Sequence, residues 1–227
     1  PFFGLRGPGG YPGVISYGVF DYFGKGGVSQ DTGWIAKDLT ATSINYYEIF
    51  WARFGPPDTP FPEPLILATK PPVDPTKPYT AFVASGDVTT EGPWQIQSTE
   101  KLVIFVSGNL TIKDTITIVP GGFLAFIVKG DITIDRSVGT TNLSSTTPLV
   151  EGVYVTSPTG TMRTDFSPTR FVAKGTFVSG SITLQRDLGE TNNASYSAEL
   201  FIYNPSLLFS MPDPMKDMKI TWEEVAP

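Results

Sequence analysis

Few residues in this chain have the type and spacing for catalysis. Ser98-Thr99-Glu100-Lys101 has the Ser-x-x-Lys spacing with which a lysine activates a serine nucleophile. That spacing works on a helix, where both side chains share a face, and this stretch leads into the apolar run Leu102–Val106. The companion Ser-Asp-Asn and Lys-Thr-Gly motifs do not occur. Asp87, Asn109, Asp114, Asp131 and Asp135 recur near glycines, and stacked carboxylates of this kind could bind calcium or act as an acid–base pair on a glycan. Asp and Asn after Gly are also ordinary turn formers, and Lys129 with Arg136 is a thin basic set for a polysaccharide site, which needs several basic residues nearby. The chain of 227 residues has no His and no Cys, which excludes Ser-His-Asp hydrolases, papain-like proteases, thiolate metal sites and ordinary zinc enzymes. No phosphate loop or dinucleotide fingerprint occurs. The expectation is therefore a protein that is not an enzyme, with no cofactor and no metal.

The elements that would position these residues repeat. Gly86-Asp87-Val88-Thr89-Thr90, Gly108-Asn109-Leu110-Thr111-Ile112 and Gly130-Asp131-Ile132-Thr133-Ile134 follow one another at 22-residue steps. The same step lands on Gly152, and a final copy, Gly180-Ser181-Ile182-Thr183-Leu184, comes 28 residues later. Period-two alternation turns the apolar pair inward and Thr89, Thr111, Thr133 and Thr183 outward as an exposed ladder. A further apolar stretch precedes each Gly, as in Ile104-Phe105-Val106 and Phe126-Ile127-Val128. Each unit reads as strand, glycine corner, strand, with Gly86, Gly108, Gly130, Gly152 and Gly180 as repeat corners, where φ is positive or a side chain would clash. A fixed period of this size marks a stacked architecture. The expectation is an all-β fold: a short parallel β-helix (solenoid) with coils of about 22 residues, flanked by aromatic-rich capping segments and a short C-terminal helix. A β-sandwich is the alternative; it explains the alternation but not the interval.

Four regions follow. Residues 1–54 are rich in Gly and aromatics, with turns over 7–13, a weak strand over Val14–Phe20 and a helix over Tyr46–Phe54. Residues 55–78 hold nine prolines and read as a strap or linker, with a short strand at Leu65-Ile66-Leu67. Residues 79–185 hold the repeat. Residues 186–227 form a C-terminal cap: Asn204 caps a short helix with Pro205 at its first position, Pro212 and Pro214 stop it, and Ile220-Thr221-Trp222 is a last strand.

Gly9-Gly10-Tyr11-Pro12-Gly13-Val14, Arg186-Asp187-Leu188-Gly189, Phe201-Ile202-Tyr203-Asn204-Pro205 and Trp222-Glu223-Glu224-Val225-Ala226-Pro227, taken with the repeat, are similar to C-terminal regions of large bacterial cell-surface proteins. The repeat alone resembles the polymer-forming bactofilins. The first resemblance implies that Pro227 is the end of a longer precursor. The expected role is a structural or adhesive module at the cell surface, outside the cell, able to assemble into a filament or layer. Its partners would be further copies of itself, a neighbouring surface protein or surface glycans. A net charge of −6 disfavours nucleic acid, and no apolar run reaches the length of a membrane span. Two other classes stay open: a carbohydrate-active β-helix using Asp pairs, and ice binding through the Thr ladder.

Overall fold

The computed structural model describes residues 14–16, 20–22, 44–57 and 59–216. The turns expected over 7–13 and the strand expected at Ile220-Thr221-Trp222 lie outside the described residues. In chain order the elements begin with β1 (Val14–Ser16), β2 (Phe20–Tyr22), α1 (Tyr46–Phe54), β3 (Thr59–Pro60) and β4 (Ile66–Leu67). The first full coil is β5 (Thr80–Ala84), β6 (Val88–Thr90) and β7 (Trp94–Ile96). The second is β8 (Lys101–Val106), β9 (Leu110–Ile112) and β10 (Ile116–Ile118). β11 (Phe123–Val128), β12 (Ile132–Ile134) and the start of β13 (Val150–Thr156) make the third. The rest of β13, β14 (Thr161–Thr164) and the first half of β15 (Phe171–Ser179) make the fourth. The rest of β15 leads into β16 (Ser181–Leu184), the short helix α2 (Glu190–Asn193) and β17 (Glu199–Tyr203), and α3 (Ser206–Ser210) and a 3-10 turn at Asp213–Met215 follow.

All the strand pairings between these elements are parallel. The fold is a three-faced β-solenoid of about six turns. Val88, Leu110, Ile132, Met162 and Ile182 stand in one inward column, each register partner of the next. On the neighbouring face Phe82, Ile104, Phe126, Tyr154 and Phe177 form a second. Rings stack through the interior: Phe126 on Tyr154 at 5.8 Å and Tyr154 on Phe177 at 5.2 Å between centroids, with Trp94 tilted against Phe126 at 5.9 Å. No single coil could bury these side chains; each depends on the rungs above and below.

The register corrects the sequence reading at one glycine. The coils step by 22, 22, 30 and 20 residues along the inward column, so the corner after Gly130 belongs to Gly160. Gly152 lies inside β13, in register with Gly175 of β15. These two glycines, at φ 140° and 149°, bend each long strand from one face onto the next. A Cβ on Gly175 would collide with the carbonyl group of Gly152, with its carbon 2.9 Å away, so the bend brings the two backbones too close for any side chain. The stretch Val153–Thr156, expected after a corner, is the strand that precedes one. The extra residues of the 30-residue coil form the loop between β12 and β13.

The outer surface of the face built from β5, β8, β11, β13 and β15 carries Val103, Phe105, Phe123, Ala125, Ile127, Val153, Val155 and Val178, all apolar and buried. Helix α1 covers it with Tyr47, Phe50, Trp51 and Phe54, and Phe105 meets the rings of Tyr47, Trp51 and Phe54 edge-on. Asn45 caps α1, its Oδ1 accepting from the Glu48 N–H at 3.3 Å. Leu207, Met211 and Met215 cover the same flank. The C-terminal segment that includes the short α3 therefore packs against the side of the stack. The short α3 begins after Pro205, where Asn204 Oδ1 accepts from the Ser206 N–H at 3.3 Å.

The proline-rich region, expected to be a strap or linker, supplies the lowest rung. β3 pairs with β5 and β4 with β6. Phe61 is buried against Phe82, and its N–H donates upward to Val83 O at 2.7 Å. Successive residues of an extended strand point their N–H groups to opposite sides. With Phe61 donating upward, the nitrogen of Pro60 in β3 faces the lower edge and has no hydrogen to donate. A donor is thus missing from that edge at β3, where another chain could pair. Pro60→Val restores it. We expect light scattering to show concentration-dependent oligomers of that variant under conditions where the parent shows none by this route; an unchanged mass would mean that Pro60 does not guard the end.

Candidate functional site

Three outward rows run up the face built from β6, β9, β12, β14 and β16. The corner row holds Asp87, Asn109, Asp131, Thr161 and Ser181 in register. Asp87 Oδ1 accepts from the Asn109 N–H at 2.7 Å and from Asn109 Nδ2 at 3.2 Å. Asn109 Oδ1 accepts from the Asp131 N–H at 2.9 Å, and Asp131 Oδ1 from the Thr161 N–H at 2.8 Å. The Thr161 and Ser181 hydroxyls bond each other at 2.9 Å. The chain turns here, and each side chain replaces the strand ladder by holding the backbone of the rung above. The glycine beside it is required because the rungs approach closely: a Cβ on Gly108 would meet Asp87 Oδ1 and sit 2.7 Å from the Gly86 carbonyl carbon, and one on Gly130 would lie 2.7 Å from Gly108 O. Gly86, Gly108, Gly130 and Gly180 have no positive φ; close approach of backbone, not handedness, selects glycine at Gly108, Gly130 and Gly180, whereas a Cβ on Gly86 would meet only Leu65 Cδ1 at 3.2 Å.

The second row is Thr89, Thr111, Thr133, Arg163 and Thr183. The four threonines point outward and are half-buried. Arg163 interrupts them, its Nε donating to Thr133 Oγ1 at 3.0 Å. The third row is charged: Glu91 pairs with Lys113 at 3.0 Å, and Asp135 and Asp165 follow. Burial works against the Asp135 carboxylate, but donation from the Ser137 N–H at 2.8 Å and nearby Lys113 and Arg136 hold it below the usual carboxylate range. Asp131 and Asp135, the pair closest to an acid–base arrangement by sequence, are thus each committed to a backbone N–H. Ser98 lies in a turn and Lys101 opens β8, so the Ser-x-x-Lys spacing does not fall on a helix.

Among the described residues the interior holds a charged polar group that the sequence did not flag, besides the buried Thr156–Ser179 hydroxyl pair. Glu199, at the start of β17, accepts from the Arg186 N–H at 2.8 Å and from Thr164 Oγ1 at 3.0 Å. Arg186 is 1 % exposed. Its guanidinium reaches two rungs down to donate to Asp135 O at 2.7 Å and Arg136 O at 3.0 Å, and lies over the Phe171 ring at 5.9 Å. Arg170 donates to Leu143 O at 2.5 Å. Together the two arginines staple the inserted loop to the coils above it. Burial pushes the Glu199 carboxyl up to about 7, opposed by its two hydrogen bonds and by the Arg186 charge.

The geometry thus defines the class of this molecule: a parallel β-solenoid with a helix packed on one outer face and polar rows along another. No protein-family model, no curated protein and no solved structure matches the chain.

Two substitutions test this description. Asn109 keeps Asp87 and Asp131 two rungs apart. Asn109→Asp preserves the acceptor but places three carboxylates at single-rung spacing, where each neighbouring pair costs about 1 kcal/mol in water. We expect a loss of about 1–2 kcal/mol in urea unfolding at low salt, recovered in high salt; a salt-independent loss would count against the ladder. For Glu199, the folded group binds a proton that the unfolded group has released between pH 4.5 and about 7. Its contribution is therefore fully present below pH 4.5 and is lost as pH rises through 7. Glu199→Gln keeps the acceptor and removes the titration. The variant should gain on the parent by roughly 2–3 kcal/mol between pH 5 and pH 8, and parallel pH profiles would contradict the burial of this charge.

Proposed function

We propose that this chain is a non-enzymatic structural or adhesive module of a bacterial surface protein, working outside the cell and assembling with further copies through its flanks. One observation carries the reading: the acidic residues with the best claim to chemistry are spent on holding rungs together. Asp87 and Asp131 each bind the backbone N–H of the next coil, and Asp135 binds that of Ser137. The interior is filled by stacked rings and aliphatic columns, which favours stiffness over ligand enclosure. Parallel ladders that run the length of the molecule distribute load over many backbone hydrogen bonds. The interrupted threonine row weighs against ordered-water binding, because Arg163 carries a strongly hydrated charge into the middle of it.

Two measurements on the purified chain test the proposal. Electron microscopy over a range of concentrations, alongside binding to cell-envelope fractions, should show rods joined into larger assemblies or retention on the envelope. A polysaccharide turnover that Asp131→Ala or Asp135→Ala abolishes would refute the non-enzymatic role.

A further inference from the structure

The sequence holds three Asn-x-Ser/Thr triplets of the kind that accept an N-linked glycan: Asn109-Leu110-Thr111, Asn142-Leu143-Ser144 and Asn193-Ala194-Ser195. Proline in the middle position disqualifies Asn204-Pro205-Ser206. A triplet takes a sugar only where its amide nitrogen is free to reach the donor, and the fold treats the three differently.

Two of the amides are committed to the structure. Asn109 Nδ2 donates to Asp87 Oδ1 at 3.2 Å, and its Oδ1 accepts from the Asp131 N–H at 2.9 Å. It lies between rungs so close that a Cβ on Gly130 would meet its Oδ1, and the Leu110 beside it is buried in the inward column. Asn193, the last residue of α2, donates from Nδ2 to Asp187 Oδ1 at 2.6 Å and accepts from the Leu188 N–H at 3.1 Å. Freeing the first amide opens the corner row, and freeing the second opens the turn that leads into α2.

Asn142 differs in each respect. It is exposed, in the loop between β12 and β13, and among the described residues no hydrogen bond takes its Nδ2. Its Oδ1 turns back to accept from Ser144 Oγ at 2.9 Å and from the Ser144 N–H at 3.2 Å. This Asx turn holds the amide and the hydroxyl two residues on side by side, both exposed. Leu143 between them is half-buried, and its carbonyl accepts from Arg170 at 2.5 Å, so the turn is anchored while the acceptor stays free. The loop adds nothing to the corner row or the main inward columns, so a sugar there displaces no rung.

We propose that Asn142 is an N-glycan acceptor, taking its sugar from a polyprenyl-pyrophosphate-linked oligosaccharide. In the transfer Nδ2 bonds to the anomeric carbon, and the bond from that carbon to the pyrophosphate oxygen breaks. The polyprenyl pyrophosphate leaves with the electron pair, and Nδ2 gives up one proton. The inference rests on the module reading, because acceptor triplets of this kind are used on secreted chains.

The test compares the folded full-length chain with its tryptic digest, which places the three triplets on separate peptides with their amides free. Each is incubated with an oligosaccharyltransferase that requires only Asn-x-Ser/Thr and a synthetic polyprenyl-pyrophosphate-linked N-acetylglucosamine disaccharide, and the products are located by mass spectrometry. The digest should accept at all three sites. The folded chain should accept at Asn142 about ten-fold or more faster than at Asn109 or Asn193, whose amides are released only by local opening. Asn142→Gln should abolish transfer to the folded chain and leave its circular dichroism unchanged. An unmodified Asn142 in the folded chain overturns the proposal, whatever the digest does. Comparable transfer to Asn109 or Asn193 in the folded chain overturns it as well, because the fold would then not select the acceptor. Either failure leaves the module reading standing, whereas a polysaccharide turnover that depends on Asp131 would refute that reading with transfer to Asn142 intact.

Discussion

The structure depends on rungs remaining in register over a shared apolar interior. A slip of one residue at any coil would turn Leu110 or Ile132 outward and bring a threonine inside. Two sets of side chains prevent this by different means. The inward columns bury hydrocarbon and stacked rings, a large but non-directional effect. The corner row of Asp87, Asn109, Asp131 and Thr161 is directional: each acceptor meets one particular N–H of the next rung. Hydrophobic burial supplies the cohesion, and the corner hydrogen bonds choose the alignment.

That division of labour decides where variation is accommodated. The third coil is lengthened between β12 and β13, on a stretch that contributes to neither the corner row nor the main inward columns. The insertion still needs an anchor, and Arg170 and Arg186 supply it by donating to carbonyls of the loop and its approach. Burying Arg186 removes a charge from water, which is costly unless its hydrogen bonds are made. Its two carbonyl-directed bonds and the Phe171 ring offset part of that cost. The stack ends follow the same logic of backbone satisfaction. At β3 the lower edge lacks a donor at Pro60, and the upper edge receives strands from two distant parts of the chain. A solenoid finished differently at its two ends has a polarity.

Much of this architecture is legible in the sequence because a coil repeats its demands. Gly108 and Gly130 need the same close approach, and Leu110 and Ile132 the same column, so similar residues recur at a constant step. The regularity misleads where the coil changes length. Thr161-Met162-Arg163-Thr164 keeps the inward Met162 but loses the outward threonine, so the corner at Gly160 has no visible signature. Gly152 falls on the 22-residue step yet serves the other bend. The helix Tyr46–Phe54 shows in its aromatic spacing, and the rings at 47, 51 and 54 do meet one partner, Phe105. Proline density in 55–78 argues against an interior strand and reads as a strap or linker; at an edge, proline is tolerated where its missing N–H faces outward. The polar group around Glu199 had no local signal at all. Its members come from β14, from the stretch after β16 and from β17, and only the coil path brings them together.

The central claim is one continuous stack, and spin-label distances test it most directly in a chain without cysteine. Pairs labelled at Thr89 and Thr183 span four rungs, and pairs at Ile66 and Thr183 span five. At about 4.8 Å per rung the mean distances should fall near 19 and 24 Å. Agreement with that increment supports the stack. Equal distances, or values beyond about 35 Å, would place these strands in separate sheets and contradict it.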